Sequence, residues 1–231
     1  METLATTKVS IVLRQIFEKM EVKDRIQVKA EELYMRYGIR SVSMDDIAAQ
    51  LGMSKKTIYQ YFADKDELVD AVVDAEITHM QADCMECFKK SENAIDEIFI
   101  TLDSVIEQFS NMNPMLLHDM EKFHHNAFQK FSKHKNEFLL RIIRNNLERG
   151  ITEGLFRPEM NVDIISKFRL ESMMIPFNVN LYPTSRYTLA GVTKEIIEHY
   201  LYGIATLKGH NLIIKYMTER NKISNNEKSR I

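Results

Sequence analysis

An all-α fold is what this sequence predicts, and three observations carry it. Gly and Pro are scarce, at 7 and 4 of 231 residues, too few for the turns of a β-sandwich or barrel. Apolar residues recur every three to four positions along most of the chain, and no sustained alternating strand pattern interrupts them. Ser, Asp and Asn stand directly ahead of several periodic stretches, and Gly follows several of them, as helix caps require. With 45% hydrophobic and 28% charged residues, the chain can bury a core and is not disordered as a whole.

Taken in order, the first helix begins at Val22, with Ile26, Ala30, Leu33 and Tyr37 on one side and Gly38 as its stop. Ser43 caps a second, in which Asp46 sits in the capping-box position, Ile47, Ala48 and Leu51 are apolar, and Gly52 ends the run. Ser54 caps a short third segment, Lys55 to Phe62. Asp64 caps a fourth that extends through Leu68, Val72, Ala75 and Met80 towards Phe88. Longer stretches follow: Ala94 to Met112, a segment starting at Pro114, and Glu137 to Glu153 closed by Gly154. Asn161 caps a helix through Phe177, which Pro176 should kink by removing the N–H that the Ser172 carbonyl needs. A last long helix holds Ile196, Ile197, Tyr200, Leu201, Ile204 and Leu207 and stops at Gly209. The residues from 218 onward are polar and are expected to fray.

Net charge is −2, so nothing global announces a polyanionic partner. Residues 1–65 nevertheless carry a balance of +2 and the remainder −4, which directs any phosphate contact to the first third. Two cysteines, Cys84 and Cys87, exclude a disulfide scaffold. Charged residues interrupt Met1 to Met20, unlike an apolar leader. The longest charge-free run, Ser172 to Ser185, is too short to span a bilayer. A cytoplasmic location without membrane contact is expected.

Ser43 to Phe62 reads as a helix–turn–helix. Gly52 suits the left-handed backbone of a sharp turn, and Met53 and Ile58 are spaced to pack against Ile47 and Leu51. Lys55, Lys56, Thr57, Tyr59, Gln60 and Tyr61 then face outward, and no acidic residue occurs from Lys55 to Phe62. Cations and hydroxyls suit phosphate oxygens, and an amide can bond the edge of adenine.

These residues resemble the tetracycline-repressor (TetR) family of bacterial transcription regulators. The similarity runs from Ile26 to Leu68 and is most specific in the block from Ser54 to Lys65. Downstream, Gly150 to Phe156, and Gly203 to Thr206 with Gly209, are similar to features the family shares loosely. The resemblance implies an N-terminal three-helix helix–turn–helix domain plus a larger helical ligand-binding and dimerisation domain. It implies four segments: a 1–20 extension, a 21–66 DNA-binding domain, a 67–217 effector-binding and dimerisation domain, and a 218–231 polar tail. It implies a homodimeric repressor, released from a palindromic operator by a small apolar effector, with no cofactor and no catalytic activity.

For DNA, the implied residues are Ser43, Ser54, Lys55, Lys56, Thr57, Tyr59, Gln60, Tyr61 and Lys65, with Gln60 at the variable base-reading position. Lys56 departs from the small residue often found there. For the dimer, two helices carrying Ile164, Phe168, Ile197, Leu201 and Ile204 would pair across a two-fold axis, although the same residues would serve as buried core. Phe109, Met112, Phe123, Phe128, Phe131, Met173, Met174 and Phe177 make an adaptable inventory for an effector pocket, and equally for plain core. A rival reading is a metal-dependent hydrolase using His118, Glu121 and His125, which fall on one helical face; His79, Asp83, Cys84 and Cys87 form a second potential ligand group.

Overall fold

The computed structural model describes the chain from Met20 to Lys228, and its side chains as far as Arg220. The expected 1–20 extension lies almost wholly outside the described residues. The helices are α1 (Val22–Tyr37), α2 (Met44–Leu51), α3 (Lys55–Tyr59), α4 (Lys65–Lys90), α5 (Ala94–Phe109) and α6 (Leu116–Phe123). They continue with α7 (His125–His134), a π-helical turn (Lys135–Leu139), α8 (Leu140–Thr152), α9 (Val162–Ser172), a 3₁₀ turn (Ile175–Phe177), α10 (Leu189–Ile204) and α11 (Leu207–Lys228).

The capping residues read from sequence sit where the helices begin. Ser43 and Asp46 form a reciprocal capping box at α2, Ser54 Oγ accepts the Thr57 N–H at α3, Asp64 accepts from Glu67 at α4, and Asn161 from Ile164 at α9. Gly52 takes φ +64°, the left-handed conformation that turns α2 into α3.

Two apolar cores result. One joins α1–α3 to the start of α4 and to Met120 and Ala127 of α6 and α7, around Ile26, Ile47, Ile58, Phe62 and Leu68. The other joins α5, α8, α10 and α11 around Ile95, Phe99, Leu147, Phe156, Leu201 and Ile213. The α5–α6 corner ties the first unit to the rest: the Asn113 N–H donates to the Met35 carbonyl (2.6 Å), and the Arg40 N–H donates to Oδ2 of the buried Asp119 (2.9 Å). Gln27 adds a bond to the Ala71 carbonyl of α4 at 3.0 Å.

The largest departures from the sequence expectation lie in the last third of the chain. The helix from Asn161 ends at Ser172 instead of bending at Pro176, which lies buried in a separate 3₁₀ turn. The last predicted helix stops at Ile204, and Gly209 lies inside a new helix instead of ending the old one. That new helix runs to Lys228, so residues 218–228 continue it rather than fray.

The Gly209 position has a definite cause. A Cβ there would fall 2.2 Å from the Leu155 carbonyl oxygen, so only glycine lets α11 approach that strand-like stretch. Phe156 and Ala205 make an isolated antiparallel bridge, with Arg157 N–H to Ile204 O and Thr206 N–H to Leu155 O, both 2.9 Å. Gly150 completes the arrangement, since its missing Cβ would lie 2.0 Å from the buried Phe156 ring. Two motifs fifty residues apart in sequence therefore meet in one contact.

Candidate nucleic-acid interface and internal cavity

The α2–turn–α3 unit is held from beneath. Ile47, Ala48, Ile58 and Phe62 are buried, and they turn the other side of the five-residue α3 to solvent. Ser43, Ser54, Lys55, Lys56, Tyr59, Gln60 and Tyr61 are exposed together there, and Thr57 and Lys65 are half-buried. The short regular helix stops at Tyr59; Tyr61 and Phe62 continue only through N–H bonds to the Ile58 carbonyl.

Several of these side chains are already engaged. Ser54 Oγ and Thr57 Oγ1 bond at 2.8 Å, and Ser43 Oγ donates to Asp46 Oδ2 at 2.6 Å. Lys55 Nζ donates to Asp45 Oδ2 at 3.0 Å and lies over the Tyr59 ring, 5.9 Å from its centre. Lys65 is the least free: its ammonium donates to the Ile39 carbonyl at 2.6 Å, and burial pulls its pKa below the usual lysine value. It positions the start of α4 as much as it presents charge. Lys56 carries no such tie and is the readiest cation on the surface.

Between the two cores lies a cavity of about 300 Å³. Tyr34 and Ile39 wall it from the first unit, Val69 to Cys87 from α4, and Thr193, Ile197 and Tyr200 from α10. Of the residues expected to line a pocket, Phe109, Met112, Phe131, Met173, Met174 and Phe177 do face it. Phe109 and Phe177 meet edge to face with ring centres 5.3 Å apart. Phe123 and Phe128 do not line this cavity. Phe123 is exposed with the Arg40 guanidinium over its ring, and Phe128 packs against the first core.

Charged groups on the wall are few. Glu31 of α1 and Glu76 of α4 face each other; burial, then the neighbouring Glu76 charge, push the Glu31 carboxyl up to about 8, so the pair keeps a proton at neutral pH. Glu97 is paired with Arg149 at 3.1 Å, and Arg149 also bonds Glu153 and Ser91, tying the α4–α5 corner to α8. Cys84 faces the cavity as a thiol pushed up to about 11, chiefly by burial.

Residues 26–72 match the family model described as "Bacterial regulatory proteins, tetR family". The HTH-type transcriptional regulator YvaF of Bacillus subtilis is 36% identical over 91 residues, 38% of this chain and 47% of YvaF, so the match spans about half that relative's length. The HTH-type transcriptional repressor KstR2 of Mycobacterium tuberculosis is 22% identical over 142 residues, 60% of this chain and 71% of KstR2. A TetR-family transcriptional regulator structure from Agrobacterium tumefaciens superimposes with a TM-score of 0.68 at 17% identity, over 80% of this chain and 97% of that one.

Over residues 26–72, then, the chain is similar to the TetR family of bacterial regulators.

The residues expected at a dimer surface divide. Ile164 and Phe168 of α9 are 61% and 55% exposed, one turn apart on one face. Ile197, Leu201 and Ile204 of α10 are at most 4% exposed and fill the protomer's own second core, which corrects their assignment to a surface. The metal reading does not assemble either. His118 and Glu121 border a groove with Lys135, His125 stands on the next helix, and no three His, Cys, Asp or Glu side chains converge among the described residues. Nothing among the described residues therefore supports the hydrolase alternative. No helix among the described residues is long and apolar enough to cross a membrane.

Arg169 and Tyr200 on the cavity wall were missed in the sequence. Arg169 reads as one more cation on an amphipathic helix, and nothing in its neighbours signals that it turns inward.

Proposed function

We propose that this protein is a ligand-responsive transcriptional regulator of the repressor type, binding a palindromic operator as a homodimer. One observation carries the DNA-binding reading: Lys55, Lys56, Tyr59, Gln60 and Tyr61 are exposed as one surface on a short helix anchored by Ile58 and Phe62. The family match over 26–72 covers the same segment, and KstR2, a relative, is named a repressor. On this reading α3 enters the major groove, Gln60 reads a base edge, and Lys56, Thr57 and Tyr61 hold phosphates.

The dimer reading rests on Ile164 and Phe168, large apolar side chains that the protomer leaves uncovered on one face of α9. Pairing them across a two-fold axis brings two recognition helices to half-sites about 34–36 Å apart. The effector reading rests on the cavity, which is bordered by the first core on one side and the second on the other. A ligand filling it presses on α4 and on the Leu116–Met120 face of α6, and α6 carries the Asp119 bond to Arg40. A shift there re-aims α2 and α3.

Selection of bound duplexes from a random library tests the proposal. The wild type should enrich an inverted repeat, Gln60→Ala should enrich a different one, and Phe168→Asp should fail to enrich any repeat. Absence of an inverted repeat from the wild-type selection would refute the reading.

A further inference from the structure

Arg169 is the only Lys or Arg on the cavity wall among the described residues, and it has no carboxylate partner. Its guanidinium donates to Ser172 Oγ at 3.2 Å and lies over the Tyr200 ring, 5.4 Å from its centre. The other charges on the wall are accounted for: Glu97 by Arg149 (3.1 Å), Asp83 by His79 (3.6 Å), and Glu31 by the proton it shares with Glu76. Elsewhere on the wall, Thr193 Oγ1 is buried without a hydrogen-bond partner, two turns before Tyr200 on the same face of α10. A guanidinium out of water with no anion beside it is costly, and burial holds its pKa below the usual arginine value. The orphaned Thr193 hydroxyl is a second uncompensated polar group on the same wall.

We propose that the cavity takes an amphiphilic carboxylic acid, its carboxylate held by the Arg169 fork and its chain lying among Phe109, Met173 and Phe177. The planar guanidinium matches a carboxylate in bidentate fashion. The apolar remainder of the wall suits a hydrocarbon body, and about 300 Å³ is at the lower end of the usual range for small-molecule sites. Glu31 and Glu76, on the side that faces the DNA-binding unit, repel an anionic head and so set the ligand's direction. The assignment rests on the effector reading above and deepens it.

The test is calorimetric and needs no DNA. Octanoate, 1-octanol, octyl phosphate and octyltrimethylammonium are titrated, below micelle formation, into the full-length protein and its Arg169→Met variant. The wild type should bind octanoate at least tenfold more tightly than the other three. Decanoate should then be tighter still, by about fourfold for each methylene that the cavity can bury. In Arg169→Met the octanoate preference should vanish while 1-octanol binds as before, which also shows that the cavity is intact. Should that variant fail to fold, Arg169→Lys keeps the charge without the fork, and octanoate should weaken while still exceeding 1-octanol.

Equal binding of all four heads, or octanoate binding undiminished in Arg169→Met, overturns the proposal. Tightest binding of octyl phosphate overturns the carboxylate assignment, and tightest binding of the ammonium moves the charge site to Glu31 and Glu76. Failure of the regulator reading looks different: octanoate would bind as described while the duplex selection yields no operator.

Discussion

Replacing Asp119 by Ala should loosen the α1–α3 unit, the proposed DNA-binding part, from the rest of the molecule. Its carboxylate is 6% exposed, accepts the Arg40 N–H at 2.9 Å and lies against Gly38, where an added Cβ would come within 3.2 Å of it. A hydrogen bond to a charged acceptor contributes about 1.5–3 kcal/mol, and Ala supplies no substitute. At roughly 2–4 °C per kcal/mol for a protein of this size, the melting temperature should fall by about 3–12 °C. Amide hydrogen exchange gives the local readout. The Arg40 amide should exchange about 10- to 150-fold faster, since each 1.4 kcal/mol is a factor of ten. Asp119→Asn, which keeps a neutral acceptor, should fall between. If Asp119→Ala leaves both the Arg40 exchange rate and the melt unchanged, the Arg40 bond does not couple the two units, and the route from cavity to α2 and α3 must run through α4 alone.

Three further outcomes follow from the same geometry. Lys56→Ala should weaken all duplexes alike and reduce the slope of log affinity against log salt by about one, measured by fluorescence anisotropy. Gly150→Ala drives a methyl into the Phe156 ring and should cost about 1–3 kcal/mol in urea unfolding, with Gly203→Ala, where space is open, much milder. Glu31→Gln should stabilise the protein above pH 4.5. The folded-state value of Glu31 is raised to about 8, so the wild type loses stability as pH rises from 4.5 through 8, and the variant's urea midpoint should stay flatter across that window.

Helix starts and the exposed side of α3 were legible because they are written locally. A cap such as Ser54 and a two-sided segment such as Lys55 to Phe62 carry their meaning within a few residues. The dimer and cavity assignments depended on which side of a helix faces which neighbour, and periodicity does not say. Ile197 and Leu201 form the same kind of apolar row as Ile164 and Phe168, yet one row is inside and the other outside. Breaks without Gly or Pro were likewise hidden. Nothing in Lys135 to Leu139 marks a π-turn, and the α10–α11 break falls at Ala205 and Thr206, held by bonds to Leu155 that only the tertiary fold supplies. Pro176 was read correctly as an interruption but wrongly as a bend, because the helix had already ended at Ser172.

The fit of Gly150 to Phe156 has a consequence for how this protein can diverge. Neither position is free to drift alone: a methyl at 150 needs a smaller side chain at 156, and a wider ring at 156 has no room even over glycine. Gly209 adds a third member, since any side chain there pushes α11 off the Leu155 backbone. Among descendants of this chain the three sites should therefore change in concert or not at all, while nearby Gly203, with nothing within 4 Å of its missing Cβ, is at liberty to vary.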